Sequence, residues 1–418
     1  MRWRILTVEE KESLEIAAAT SYAVRHSSGT AMLIRGKHIA TGQVVDVRIN
    51  DAGGLIAEVT PPDPACVPDV GDDDLFVAPG LFDIHINGFA GVDFQNPAMT
   101  AGDLARATRE QLRHGTTQFL VTIVSEAYDR MAACFRGVVR ARAERPELAR
   151  AIPGFHLEGP YISAEDGPRG GHYANAVRPP SWEEFQRFQE AAAGLIKLVT
   201  IAPELPGMTR FIEQTVASGV VVGLGHTAAS AQQIADAVAA GATVATHLGN
   251  GSHAVLPRHA NYIQVQLAED RLNATFIADG HHLPPYVVKN FIRAKGLMRS
   301  ILVTDAVPPA GMPPGVYRYG RVEVEAKPDG LICLPGTPYL FGAATTLENC
   351  IANAATWAGI PLADTIRMAT ENPARLLGLT PHVLEKGGSA DLILFALENG
   401  RICVSGAVVG GQHFSSTP

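Results

Sequence analysis

Phe76-Val-Ala-Pro-Gly-Leu-Phe-Asp-Ile-His-Ile86, followed by Asn87-Gly-Phe-Ala-Gly91, is the stretch that separates two possible layouts. The run to Ile86 is apolar enough to be a strand buried on both faces, as in a parallel sheet. An open, doubly wound sheet would place a phosphate-binding glycine turn after this first strand and enter a long helix directly. Gly88 to Gly91 is not followed at once by such a helix. The reading therefore favours a closed barrel.

Working outward, short apolar runs recur at 117–124, 151–157, 198–203, 220–225, 243–247, 274–278 and 301–304, which with 76–86 makes eight. Amphipathic helical patterns at 99–114, 127–144, 182–193, 208–218 and 230–240 separate them. Eight strand and helix units suggest an α/β chain with a (β/α)8 TIM-type barrel. Before the barrel, β-rich segments at 31–34, 43–49 and 54–59 alternate with Gly, Pro and Asp turns, and segments 390–395 and 401–409 repeat that texture. The two ends are expected to pair as one small β-sandwich domain, 31–78 plus 380–418, with the barrel at 79–379. Residues 1–30, helix-prone at 9–19 and then polar, read as an appendage.

Composition limits the function. Of the 418 residues, 46% are hydrophobic and 18% charged, enough apolar material for a large core. A net charge of -8 argues against a phosphate-backbone binder, which concentrates Lys and Arg, so no nucleic-acid partner is expected. Five scattered cysteines without a CxxC pair fit a reducing cytoplasm better than a disulfide framework. Glu9, Glu10, Glu12 and Glu15 fall where a signal peptide would be apolar, and no apolar run approaches the ~18 residues of a membrane helix.

The polar residues gather at strand ends, where barrel enzymes keep their chemistry. His85 and Asn87 close the first run, Glu158 the third, His226 the fifth, His247 the sixth and Asp305 the eighth. Imidazole and carboxylate suit a borderline divalent cation, and three protein ligands leave a position open for water. Asp305, after Ile301, Leu302 and Val303, is suited to take a proton from that water and return it to a leaving group. The alternative for Asp305 is a loop-capping aspartate before Pro308 and Pro309, and a lone histidine at a strand end is more often a satisfied core or loop residue.

These segments resemble the amidohydrolase superfamily and, within it, the N-acetylglucosamine-6-phosphate deacetylase family. The matching strings are Ala78-Pro-Gly-Leu-Phe-Asp-Ile-His-Ile-Asn-Gly88, His156-Leu-Glu-Gly-Pro-Tyr-Ile162, Gly225-His-Thr227, Thr246-His-Leu-Gly-Asn250, Ile277-Ala-Asp-Gly280, Val303-Thr-Asp-Ala306 and Glu371-Asn-Pro-Ala-Arg375. The resemblance implies a barrel with a small β-sandwich built from both termini, a divalent metal (zinc, iron, cobalt or manganese) on Glu158, His226 and His247, and Asp305 as general acid/base. The implied reaction is hydrolysis of the N-acetyl amide of an amino sugar phosphate, most simply N-acetylglucosamine 6-phosphate, to acetate and the free amine. It also implies substrate contacts from His172, Asn250, Gly251, His282, Leu340, Phe341 and Gly342. Arg258 matches a phosphate-binding arginine that the family takes from a neighbouring subunit, which implies a homodimer.

The pattern departs in two places. Two-metal relatives end the first strand His-x-His where this chain has His85-Ile-Asn87, so one metal per chain is expected, with His85 a further candidate ligand. The segment after His247 carries Gly249, Gly251 and Ser252 and adds His253 and His259, which leaves another N-acyl sugar open as substrate; His281 beside His282 adds a similar ambiguity. A cyclic-amide hydrolase would use a carboxylated lysine at the end of the fourth strand, but Lys197 stands at its beginning. A non-catalytic barrel scaffold would usually have lost its metal ligands.

Overall fold

The computed structural model describes residues 32–50, 54–337 and 339–416. The expected appendage at 1–30 lies outside the described residues.

Eight parallel strands form the central sheet: Leu81–Ile86, Thr116–Val124, Gly154–Glu158, Ile196–Ile201, Val221–Leu224, Val244–Ala245, Asn273–Phe276 and Ser300–Leu302. The sheet closes on itself beyond the last strand. Asp305 N–H donates to His85 O (2.9 Å), Asn87 N–H donates to Ala306 O (2.7 Å), and Ile86 bridges Ala306 in parallel register. Phe82, Ile84, Leu120, Leu198, Val244, Ile277, Ile301 and Val303, from strands around the ring, form one buried cluster. The barrel is therefore a packed core that carries its chemistry at one end.

The helices read from periodicity are present as Ala101–Arg113, Tyr128–Glu144, Trp182–Ala191, Met208–Ala217 and Ala231–Ala239. Two begin with reciprocal side-chain caps, Thr100 with Asp103 and Ser230 with Gln233, which satisfy donors that the first helical turn leaves open. Helices Tyr262–Ala268, Pro285–Lys295 and Leu347–Ala358 add to the outer ring without having been anticipated. So does an antiparallel three-stranded sheet, Gly315–Tyr319, Val322–Ala326 and Ile332–Cys333, inserted after the last barrel strand.

The two chain ends meet in a seven-stranded sheet, with Leu392–Glu398 antiparallel to Val70–Pro79. The expected single strand over 76–86 is in fact two, one in each sheet. The chain changes sheets at Gly80, where a Cβ would lie 2.2 Å from Thr117 Oγ1. Continuous apolarity conceals the division because residues 77–86, on both sides of it, are all buried.

Candidate active site

Each polar residue picked out from the sequence stands at or just beyond the carboxyl end of its strand. Glu158 is the last residue of the third strand, and His226 and His247 each lie two residues past theirs. His226, His247 and Asp305 have φ of 51°, 28° and 51°. Left-handed backbone at a non-glycine residue costs on the order of 1–3 kcal/mol and persists only where the surroundings enforce it. Three of the six non-glycine residues with such backbone among the described residues stand at these strand exits.

Glu158 is the hub. Its Oε1 lies 3.0 Å from both His226 Nε2 and His247 Nε2, and its Oε2 lies 3.1 Å from His85 Nε2. The two histidine nitrogens are themselves 3.0 Å apart. His226 Nδ1–H donates to the Pro168 carbonyl at 2.9 Å, so in the neutral ring Nε2 presents a lone pair. That lone pair faces a carboxylate oxygen at hydrogen-bond distance with no proton to share. Two imidazoles and one carboxylate converging in this way fit a divalent cation, and His–Glu groups able to hold a metal are Glu158 with His85 and His247, and Glu158 with His172 and His226.

Two glycines brace the central imidazole. A Cβ on Gly251 would lie 2.7 Å from His226 Nδ1, and one on Gly170 would lie 3.1 Å from His226 Cε1. Neither glycine signals this bracing in the sequence, because the contact joins loops from the third and sixth strands. His172 reaches the same ring, with Nε2 3.3 Å from His226 Nε2 and Nδ1 2.8 Å from Ser125 Oγ. Ser125 was likewise missed.

Electrostatics support an ionised hub. Burial opposes charge on Glu158, but His85, His226 and His247 outweigh it and hold the carboxyl well below its ordinary value. Burial also opposes a proton on His85, yet Glu158 and Asp305 push it up to about 9. Burial pulls His247 below its ordinary value and His172 down to about 3, which favours the uncharged imidazole that a ligand or neutral donor requires.

Asp305 sits across the barrel seam from the first strand. Its Oδ1 accepts from Asn87 Nδ2 at 2.6 Å and lies 3.3 Å from His85 Nε2. Asn87 is thus committed to Asp305. Under both of them, buried Asp83 accepts from Thr304 Oγ1 (2.5 Å) and from the His85 amide (3.1 Å), tying the first strand to the eighth.

A cavity of about 930 Å³ opens over this group and is lined by His172, Asn250, Gly251, His282, Leu340, Phe341 and Gly342 as well as Glu158, His226, His247 and Asp305. His282 Nδ1 is 2.7 Å from Asp279 Oδ2, which leaves Nε2 for the cavity. The Asn250 backbone N–H is already bonded to His247 O (2.9 Å), so its donor capacity rests in Nδ2, which is buried without a partner among the described residues. Phe341 packs edge-on against Tyr319 of the inserted sheet at 5.7 Å. His253 lines the rim, 3.2 Å from Glu165. Arg258 and His259 are exposed, and the structure does not bring Arg258 into the cavity of its own chain. Lys197 stands at the start of the fourth strand, away from the site.

The sequence pattern of the amidohydrolase family matches residues 76–413. The N-acetylglucosamine-6-phosphate deacetylase of Bos taurus is 35% identical over 337 residues, 76% of this chain and 79% of the relative. That of Bacillus subtilis (strain 168) is 30% identical over 328 residues, 77% of this chain and 81% of the relative. The structure of an N-acetyl-D-glucosamine-6-phosphate deacetylase variant from Mycobacterium smegmatis, in complex with N-acetyl-D-glucosamine-6-phosphate, superposes with a TM-score of 0.83 at 30% identity, covering 92% of this chain and 99% of that one.

Proposed function

Since the chain belongs to the amidohydrolase family and aligns over most of its length with N-acetylglucosamine-6-phosphate deacetylases, we propose that it hydrolyses the acetamide of N-acetylglucosamine 6-phosphate to acetate and glucosamine 6-phosphate. The observation that carries this reading is the convergence of Glu158 Oε1, His226 Nε2 and His247 Nε2 at 3.0 Å, beside Asp305.

Glu158, His226 and His247 would hold one divalent metal per chain, of which zinc, iron, cobalt and manganese all suit the donor set. The cation supplies charge that polarises the amide carbonyl and acidifies the attacking water. Asp305 takes the proton from that water and delivers it to the departing nitrogen, which could not leave as an amine anion. Asn87 donates to Asp305 Oδ1 at 2.6 Å, which holds the carboxylate by that oxygen and leaves Oδ2 for the proton transfers. His85 Nε2 stands between the two carboxylates, 3.1 Å from Glu158 Oε2 and 3.3 Å from Asp305 Oδ1, and Asn87, just past the same strand, is already bonded to Asp305, so the first strand offers no second ligand pair. That supports a single-metal site despite the two overlapping groups.

His172 and His282 are assigned to donate to the sugar phosphate, Asn250 and Gly251 to receive its anionic end, and Leu340, Phe341 and Gly342 to cover the ring. Arg258, exposed and outside its own cavity, fits a role in the partner's site of a homodimer. We also assign 79–379 as the catalytic unit, with 31–78 and 380–418 as the small β domain. No helix among the described residues is long and apolar enough to cross a membrane, and the absence of a disulfide among its described cysteines accords with a cytoplasmic setting.

The test is acetate release from purified protein before and after metal stripping, with metal content measured alongside. Full metal occupancy without acetate from this substrate would refute the assignment; acetate from an unphosphorylated or epimeric N-acetyl sugar instead would move it to another N-acyl sugar.

A further inference from the structure

Directly beneath the metal-binding group the barrel interior is polar. His156 lies two residues before Glu158 on the third strand, so its side chain points to the same interior face one step deeper. Thr122, Thr200 and Thr246 come from the second, fourth and sixth strands or their ends, and with His156 they are no more than 4% exposed. Valine, isoleucine and leucine are the usual filling of such a layer. None of these four residues lines the cavity, so contact with substrate does not account for them.

Polar contacts join them into one belt. The Ile86 amide donates to Thr122 Oγ1 at 3.1 Å, where the ladder between the first two strands shifts register. Thr122 Oγ1 lies 3.5 Å from His156 Nδ1, at the outer limit of a hydrogen bond. His156 Nε2 lies 2.7 Å from Thr200 Oγ1, which in turn lies 2.8 Å from Thr246 Oγ1. The belt thus begins beside His85 and ends beside His247. Along the way the His156 ring meets the His85 ring edge-on, with centroids 4.5 Å apart.

The fifth strand lies between the fourth and the sixth, so the contact between Thr200 and Thr246 must cross it. It can do so because that strand places no side chain in the way. A Cβ on Gly223 would lie 2.6 Å from Thr246 Oγ1, and one on Gly225 would lie 2.9 Å from both Thr200 Cγ2 and Thr246 Cβ. Glycine weakens a strand interior and marks a place where another group approaches closely. Two glycines and four buried polar side chains each cost stability relative to an apolar layer, and all of them converge on the same row of contacts. We propose that His156 is a positioning residue: through Thr122, Thr200 and Thr246 it sets the angle at which His85, Glu158 and His247 meet.

The inference rests on the deacetylase reading for its kinetic part, while its metal-retention part stands without a substrate. Thr246 adjoins His247 and His156 shares a strand with Glu158, so a shift in the belt passes to both through the backbone. Groups that orient metal-binding side chains from outside typically contribute roughly 10- to 100-fold to metal affinity. The belt does not reach the cavity, so its loss is expected in kcat and in metal retention and not in KM.

The experiment uses zinc-loaded full-length protein and follows zinc release to a chromogenic chelator, with kcat and KM for N-acetylglucosamine 6-phosphate measured on the same preparations. His156→Phe keeps a ring and removes its nitrogens, Thr200→Val removes the shared hydroxyl, and Gly223→Ala parts Thr200 from Thr246 without removing a polar group. Each is expected to release zinc about tenfold faster or more and to lose about tenfold in kcat, with KM within about threefold of wild type. His156→Gln, whose amide can still reach Thr200, should stay within about threefold of wild type in both zinc release and kcat. Because Thr200→Val and Gly223→Ala act on one contact, their combined effect should fall short of the product of the two. Zinc release within about threefold of wild type for both Thr200→Val and Gly223→Ala overturns the proposal, even where His156→Phe does not fold. So does a His156→Gln variant as impaired as His156→Phe, which would make ring shape and not the belt the requirement. Zinc release that responds as expected, with no acetate from the wild type, overturns the deacetylase reading and leaves the belt in place.

Discussion

Replacing Asp305 by Asn keeps the size of the side chain and removes its ability to accept a proton. In the wild-type arrangement Oδ1 accepts from Asn87 Nδ2 at 2.6 Å and lies 3.3 Å from His85. The amide oxygen of the variant can keep the Asn87 contact, so the seam of the barrel should hold. Glu158, His226 and His247 are untouched, so metal content should be unchanged. On the proposed mechanism both halves of the proton traffic pass through this one carboxylate, first from water and then to nitrogen. The expected loss therefore falls in the upper part of the ~10²–10⁴ range for a single acid/base group, on the order of 10³ to 10⁴ in kcat. At about 1.36 kcal/mol per decade this corresponds to roughly 4–5 kcal/mol of transition-state stabilisation. The assay is amine release under saturating N-acetylglucosamine 6-phosphate, with metal content by elemental analysis and substrate affinity by calorimetry on the same preparation. Turnover within tenfold of wild type at full metal content would remove Asp305 from the proton path. Loss of metal together with loss of activity would show that Asp305 acts by retaining the ion.

Other expectations follow from the same geometry. Gly251→Ala places a Cβ 2.7 Å from His226 Nδ1 at a backbone φ of +55°; the displaced ring should weaken metal affinity by about tenfold or more, read by competition with a chromogenic chelator. Stripping the metal should lower the unfolding free energy by about 2.7 kcal/mol relative to protein holding its ion at 100 times its Kd, seen as a fall in Tm that added cation reverses. His114 Nδ1 lies 2.8 Å from Glu348 Oε1, and although burial opposes its proton this partner raises its pKa. The stabilisation is thus fully present below the ordinary value near 6.5 and is lost as pH rises through the raised one. His114→Gln should then cost about 1 kcal/mol at pH 6, the low figure reflecting a side chain 37% exposed, and little at pH 9 by urea unfolding; an equal cost at both pH values would remove the ion pair from the account.

Much of the site was legible because barrel chemistry follows a positional rule. A strand that ends in Glu158 or is followed within two residues by His226 or His247 announces itself by apolarity that stops at a ligand-type side chain. Where function depends on contacts between loops, the linear pattern is silent. Gly170, Gly251 and Ser125 act on His226 and His172 from loops distant in sequence, and only the folded arrangement shows it. The inserted sheet carries a hairpin signal at Tyr319-Gly320-Arg321, but it falls after the eighth strand, where the barrel count was already complete. The division at Gly80 stayed hidden because residues 77–86, on both sides of it, are all buried. The sixth strand, expected over 243–247, shrinks to Val244–Ala245 because His247 already turns out of the sheet. Arg258 matches by spacing, yet its side chain lies on the surface, so spacing alone did not place it in a pocket.

The seam between the first and eighth strands has a further consequence. Asn87 and Asp305 are separated by 218 positions, and the backbone bonds that close the ring lie between the same two segments. Asp305, the residue proposed as general acid/base, is therefore positioned by the pairing of the two barrel strands farthest apart in sequence, the kind of contact whose loop-closure entropy is met late in assembly. On the proposed mechanism catalysis would be a sensor of ring closure: a chain whose earlier strands have paired and whose His226 and His247 are gathered would remain silent until its last strand docks on its first. Recovery of turnover after dilution from denaturant, set against recovery of helical circular dichroism, would time that final step without any label.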